Sequence, residues 1–314
     1  MLIQSIAIFI LGLVFLIAGA EWLVRGSSNF AGAVGIKPVI IALTFIAFGT
    51  SAPEAAVSII AVIKGASDIA LGDVVGSNIA NIGLVLGLAA LVSPLKVERR
   101  LLKREFPVML AAALIFYLMA LDLRISFFDG LILLIGLILF IGFLFLKPEL
   151  VPDIEESARA ILSGKNRTKF GNFLIGLIGL AVLLSGSYLM VRSGTLIARA
   201  LGISQWIIAL TMFAIGTSLP ELATTVMSAF RKRADIAIGN IIGSNILNIL
   251  FVIGIAGMAG SLTIDPRALR FTFPVMLAFS AALFPLMKTG FVITRLKGAG
   301  LVLGYVAFLF YLVK

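Results

Sequence analysis

The 314-residue chain contains no cysteine and no histidine. The first absence excludes disulfides, thiolate metal sites and thiol nucleophiles; the second excludes imidazole-ligated zinc or haem and any Ser-His-Asp catalytic arrangement. Charge is also scarce: 13% of residues are Asp, Glu, Lys or Arg against 61% hydrophobic, and the mean hydropathy is +1.17. A chain so poor in polar surface does not dissolve as a globule, and apolar runs of about 20 residues, enough to cross a bilayer, recur along its length. The sequence therefore reads as an all-α integral membrane protein. An aspartyl or Ser/Lys enzyme is the chemistry left open, but the apolar segments hold neither an aspartate pair nor a buried lysine. The expectation is a protein that is not an enzyme and carries no cofactor.

The net charge of +10 would suggest nucleic acid in a soluble protein, but its distribution accounts for it differently. Ten candidate spans are centred near residues 13, 51, 81, 114, 137, 181, 218, 248, 279 and 305. Alternate connections then carry 18 Lys and Arg residues on one side of the membrane and seven on the other. The positive-inside rule makes the richer side cytoplasmic and places both termini outside. The first run has no basic segment before it and exceeds a signal peptide's apolar core, so it is expected to be retained.

What is present is a duplication. Residues Ile40 to Leu86 recur at Ile207 to Ile253 with a constant offset of 167, without a gap, and 23 of 47 positions are identical. That offset spans five crossings, an odd number, so the copies enter the membrane from opposite sides. Inverted repeats of this kind are a transporter architecture. The expected organisation is a first five-helix repeat over residues 1–146, a cytoplasmic linker over 147–171 and an inverted second repeat over 172–314.

Each copy carries a glutamate inside an apolar segment: GTSAPE over Gly49–Glu54, and GTSLPE over Gly216–Glu221. Carboxylates at bilayer depth are costly, and no Lys or Arg lies within either central segment to pair with them. Gly49 and Pro53 do not sit together in a continuous helix, so the span should break there, with Thr50 or Ser51 capping the next half-helix. A break frees carbonyls, and carbonyl, hydroxyl and carboxylate oxygens are the ligands hard cations prefer. Thr50, Ser51 and Glu54 are spaced to converge. On the following span, Asp73, Ser77 and Asn81 fall at i, i+4 and i+8 and form one polar stripe. The second copy supplies Thr217, Ser218, Glu221, Asn240, Ser244 and Asn248 in the same way. Serines and asparagines alone would be ordinary interhelical hydrogen-bonding groups. Asp73 is divided between a solvated helix start and a pocket role, because its counterpart is the neutral Asn240.

The paired GTS(A/L)PE and G-(D/N)-x-x-GSN-x-x-N motifs resemble the alpha-repeats of the cation/calcium antiporter superfamily, closest to the short prokaryotic sodium/calcium exchangers. The resemblance covers essentially the whole chain. It implies that Glu54 and Glu221 bind Ca2+ and Na+ in alternation, aided by the hydroxyls of Thr50, Ser51, Ser77, Thr217, Ser218 and Ser244 and by the carbonyls of Ala47 and Ala214. Asparagine at both Asn81 and Asn248, where potassium-dependent relatives use an acid, speaks against K+ dependence. Asp73 departs from the more usual asparagine. The implied activity is Na+/Ca2+ antiport in a multi-pass prokaryotic plasma membrane, with the two ions and the lipid bilayer as partners and neither nucleic acid nor an obligatory protein partner. An H+/Ca2+ exchanger is the second reading, and a K+-dependent exchanger or a cation channel stands behind it.

Overall fold

The computed structural model describes residues 2–146, 168–201 and 216–313. Most of the expected linker, from 147 to 167, therefore lies outside the described residues. Two helices dominate by length: α1 (Leu2–Val34) and α7 (Lys169–Ala200). They cross through glycines. A Cβ on Gly19 would stand 2.3 Å from the Leu183 nitrogen, and one on Gly179 would stand 2.4 Å from the Leu23 nitrogen. Only a residue without a side chain lets the two backbones approach this closely, which is how helices pack in lipid, where burial of apolar surface gives no net drive.

The second expected span breaks, as its glycine and proline require. Helices α2 (Pro38–Thr50) and α3 (Ala52–Ile63) meet at 43° around Ser51. Pro53 falls in the first turn of α3, where its missing N–H leaves no intrahelical bond unmade. One detail differs from the sequence reading: Ser51 is the residue preceding α3, yet its side chain makes no capping bond. Its hydroxyl is used across the molecule instead. Within α2, Ala42–Ile46 is π-helical.

The chain continues through α4 (Ser67–Val92), α5 (Arg99–Asp122) and α6 (Phe127–Leu146), then after α7 through α8 (Leu219–Phe230), α9 (Ala234–Ala259), α10 (Pro266–Lys288) and α11 (Arg295–Val313). Among the described residues the sequence duplication is reproduced in paired elements. Helices α3 and α8 have 12 residues each, and α4 and α9 have 26 each. Both long helices relax into a six-residue π-helical segment at the same register, Asn81–Leu86 and Asn248–Ile253. Among the described residues, eight helices are long and apolar enough to cross a membrane, and α2 with α3 forms one bent span more.

Burial separates centre from rim. In α4 and α9, 78% and 83% of the apolar window is buried, against 22% in α1, so the two polar stripes run through the middle of the molecule. Outer helices turn large apolar side chains such as Ile3, Phe128 and Phe310 outward, as contact with hydrocarbon demands. Gly243 of α9 packs against α2, where an added Cβ would lie 2.8 Å from Leu43 Cα.

Two short antiparallel ladders tie the halves together. β1 (Leu95–Lys96) pairs with β4 (Val292–Ile293), Leu95 opposite Ile293, and β2 (Arg124–Ile125) pairs with β3 (Leu262–Thr263), Arg124 opposite Thr263. Helix ends find cationic partners nearby: Arg295 donates to the Leu91 carbonyl at 3.1 Å, and Lys297 donates to the Leu286, Thr289 and Val292 carbonyls at 2.8, 2.6 and 2.7 Å. The bonds to Leu91 and Leu286 occupy carbonyls that a helix leaves without intrahelical donors.

Candidate cation-binding site

Glu54 and Glu221 occupy equivalent positions, the third residue of α3 and of α8, and both are fully buried. A carboxylate in the first helical turn meets the positive end of the helix dipole. That is partial compensation only. Neither oxygen of Glu54 takes a hydrogen bond, nor does Oε2 of Glu221. The ion pairs found among the described residues join Arg100 to Glu105, Arg231 to Glu21 and Arg233 to Asp235, and none involves the two site glutamates or Asp73.

The hydroxyls converge as expected, mostly between the halves. Ser51 donates to Glu221 Oε1 at 3.3 Å, and Ser244 donates to the same oxygen at 3.5 Å. Thr50 lies 3.5 Å from Ser244 and 3.3 Å from the Ala47 carbonyl. On the other side, Ser77 lies 3.5 Å from Thr217 and accepts from Ser218 at 3.4 Å, while Thr217 donates to Asp73 Oδ1 at 3.0 Å. The break of each half thus faces the polar helix of the other. Spacing placed Thr50, Ser51 and Glu54 together without saying which helix they meet; the contacts between halves follow from α2 packing on α9 through Gly243. Glu54 lies within electrostatic reach of both Glu221 and Asp73.

Asparagines beside and one turn beyond Ser77 and Ser244 form a second layer along α4 and α9. Asn81 donates to Asn245 Oδ1 at 3.0 Å, Asn245 to the Asn78 carbonyl at 3.4 Å, and Asn248 to Asn78 Oδ1 at 3.4 Å. The amide oxygens of Asn81 and Asn248 stay buried without a donor. Asn78 and Asn245 were not among the expected site residues. Their signal was the asparagine of the repeated GSN, which sits off the i, i+4 stripe and so escaped a periodicity argument. Of the expected ligands, Ala214 lies outside the described residues.

Chemically, the arrangement is carboxylates interleaved with hydroxyl and amide oxygens. Among the described residues, no three acidic side chains gather tightly enough to hold a metal by carboxylates alone. Hard oxygen donors with two buried negative charges suit Na+ and Ca2+ and offer nothing to soft transition metals. The Gly216 carbonyl, beside the second break, is fixed by a 3.3 Å bond from Ser187 of α7, so the long helices brace the site.

Known proteins agree with this chemistry. The sodium/calcium exchanger protein family matches residues 4–146 and 171–314. A sodium/calcium exchanger of Methanosarcina acetivorans, MaX1, is 36% identical over 98% of each chain, and a putative antiporter of Alkalimonas amylolytica, CaxA, is 37% identical over 98% of each. Among solved structures, the sodium-calcium exchanger NCX_Mj soaked with Na+ and Sr2+ superposes with a TM-score of 0.86 at 31% identity, covering 98% of each chain. The match spans both halves, both broken-span motifs and the fold that joins them, and it makes the protein a membrane transporter, not an enzyme. The chain belongs to the sodium/calcium exchanger family.

Proposed function

We propose that the protein exchanges Na+ for Ca2+ across the plasma membrane by alternating access. The observation that carries this reading is the pair of buried carboxylates without a basic partner, Glu54 and Glu221, each in the first turn of a half-helix at a break, with Glu221 accepting from Ser51 of the other half and Ser244 of its own. Two negative charges neutralise one Ca2+ or two Na+, so the ions exclude one another electrostatically. With either load the site is neutral enough to pass from one face to the other; empty, it carries uncompensated charge and crosses poorly. Net charge moved per cycle couples exchange to the membrane potential at about 2.3 kcal/mol per charge per 100 mV.

The proposed architecture is ten spans in two inverted repeats, residues 1–146 and 172–314 joined by a cytoplasmic linker over 147–171, with both termini outside. Two ladders support the sidedness: β1 and β4 adjoin the Lys- and Arg-rich connections, and β2 and β3 the poor ones. The ligands are Glu54, Glu221, Thr50, Ser51, Ser77, Thr217, Ser218 and Ser244 with the carbonyls of Ala47 and Ala214, while the Asn81 and Asn248 amides, lacking charge, leave exchange independent of K+. The test is 45Ca2+ uptake into proteoliposomes with Na+, K+ and proton gradients imposed one at a time. An outward Na+ gradient drives uptake on this reading; uptake driven by a proton gradient alone overturns it in favour of H+/Ca2+ exchange.

A further inference from the structure

Asp73 and Asn240 stand at equivalent positions of the two repeats, 167 residues apart, yet they hold different hydroxyls. Asn240, fully buried on α9, donates to Thr225 of α8 at 3.1 Å, so its bond stays within its own half. Asp73 on α4 does not repeat that contact. The residue equivalent to Thr225 is Ser58 of α3, and its buried hydroxyl has no hydrogen-bond partner. Instead Asp73 Oδ1 accepts from Thr217, beside the break of the other half, at 3.0 Å, while Oδ2 takes no bond.

The chemistry of the two side chains accounts for the difference. An amide has protons to give, whereas an ionised carboxylate only accepts, so Thr217 must be the donor in its bond to Asp73. A hydroxyl that directs its one proton at a carboxylate keeps its oxygen lone pairs for other groups, and a hydrogen bond to a charged acceptor fixes that direction more firmly than one to a neutral carbonyl. Thr50, the equivalent of Thr217, donates to such a carbonyl, that of Ala47, at 3.3 Å. Ser77, another of the proposed ligands, lies 3.5 Å from the Thr217 hydroxyl, so the oriented oxygen belongs to the site. Among the described residues no three acids gather tightly enough to hold one ion together, so Asp73 does not join Glu54 and Glu221 around a single cation.

We infer that Asp73 is a positioning residue for the transported cation: its carboxylate holds the Thr217 hydroxyl as a donor, keeps that oxygen available to the ion, and raises cation affinity through this bond. The inference rests on the proposed exchange function and deepens it by naming what holds one of the site hydroxyls. Two consequences separate this role from direct attraction of the ion. Removing the carboxylate costs no more affinity than removing the Thr217 hydroxyl, and it costs little once that hydroxyl is gone. Asparagine is not an equal substitute at this position, because its amide gains protons to donate, as Asn240 donates to Thr225.

The experiment uses the full chain and compares the wild type, Asp73→Asn, Thr217→Val and the double variant. Half-saturating Na+ and the maximal rate come from 45Ca2+ flux in proteoliposomes, and Ca2+ and Na+ affinities come independently from ion-dependent melting in detergent. Each single variant is expected to weaken both ions by about 2- to 10-fold, Asp73→Asn by no more than Thr217→Val, with maximal rate and ion-free melting temperature near those of the wild type. In the Thr217→Val background, Asp73→Asn should add less than twofold. Wild-type affinity in either single variant, or an undiminished Asp73→Asn effect in that background, overturns the inference. Asp73→Ser repeats the comparison if Asp73→Asn does not fold, and failure of both to fold without ions assigns Asp73 to the fold and overturns it as well. A wild type that binds both ions by melting yet shows no Na+-driven Ca2+ flux removes the proposed exchange instead, and leaves the Asp73–Thr217 coupling to be read from melting.

Discussion

Glu54 and Glu221 are equivalent by sequence but not by environment, and replacing Glu54 with glutamine separates their binding role from any structural one. Glu221 accepts bonds from Ser51 and Ser244, whereas Glu54 is fully buried with both oxygens unpartnered. At a typical Ca2+–oxygen distance of about 2.4 Å and an effective dielectric near 20, one carboxylate attracts Ca2+ by about 14 kcal/mol before dehydration of the ion is counted. If dehydration and desolvation offset three quarters of that, about 3.5 kcal/mol remains, a loss of a few hundred-fold in affinity for Glu54→Gln. The ion-free protein should behave in the opposite sense: a buried carboxylate without a partner costs several kcal/mol, so its neutral replacement melts no lower than wild type. The assay is thermal unfolding in detergent with and without Ca2+, alongside 45Ca2+ flux. Wild-type protein at a Ca2+ concentration of about 100 times Kd gains about 2.7 kcal/mol, and the variant should gain none. A variant that keeps the Ca2+-induced rise in melting temperature refutes the ligand assignment; one that is unfolded without ions shows that Glu54 holds the fold.

Three other outcomes follow from named contacts. Ser77→Ala and Ser244→Ala each remove a hydroxyl that bridges the halves but no charge, so half-saturating Na+ should rise several-fold while transport persists; unchanged Na+ dependence in both assigns these serines to helix packing. Gly19→Ala would put a Cβ 2.3 Å from the Leu183 nitrogen, so α1 and α7 must separate; it should lower the melting temperature and slow exchange, and a wild-type melt would show that the crossing tolerates more space than its geometry allows. Glu105→Gln breaks the buried pair with Arg100 and should destabilise by about 3–5 kcal/mol, whereas replacing both by apolar residues should cost less, an ordering that chemical or thermal unfolding can reverse or uphold.

How much of this was legible before the structure depends on the kind of signal each feature leaves in a sequence. The break at Ser51 was legible because glycine and proline act locally on backbone dihedrals, and the burial of Glu54 was legible because a charge set among apolar residues is carried inward with them. The partners were not. Spacing along one helix places Thr50, Ser51 and Glu54 on one face, but it carries no record of which helix that face meets, and the answer is the opposite half. Glycines at 239 and 243 decide this by admitting α2 against α9, a fact that only the three-dimensional approach of Leu43 reveals. The π-helical segments were invisible for a related reason. An i, i+4, i+8 stripe assumes uniform helical winding, and winding loosens at Asn81 and Asn248, where the stripe ends. That loosening coincides with the amide layer in which Asn78 and Asn245 serve, two residues that the regular stripe passes over. Their asparagines are hydrogen-bonded across the two repeats while the Glu54 carboxylate takes no hydrogen bond, so protein ties the neutral amides together and leaves this acid without a donor. On the proposed function that division has a mechanical consequence: the amide layer ties the two halves together, and the charge whose compensation changes during a cycle sits beside the 43° bend between α2 and α3.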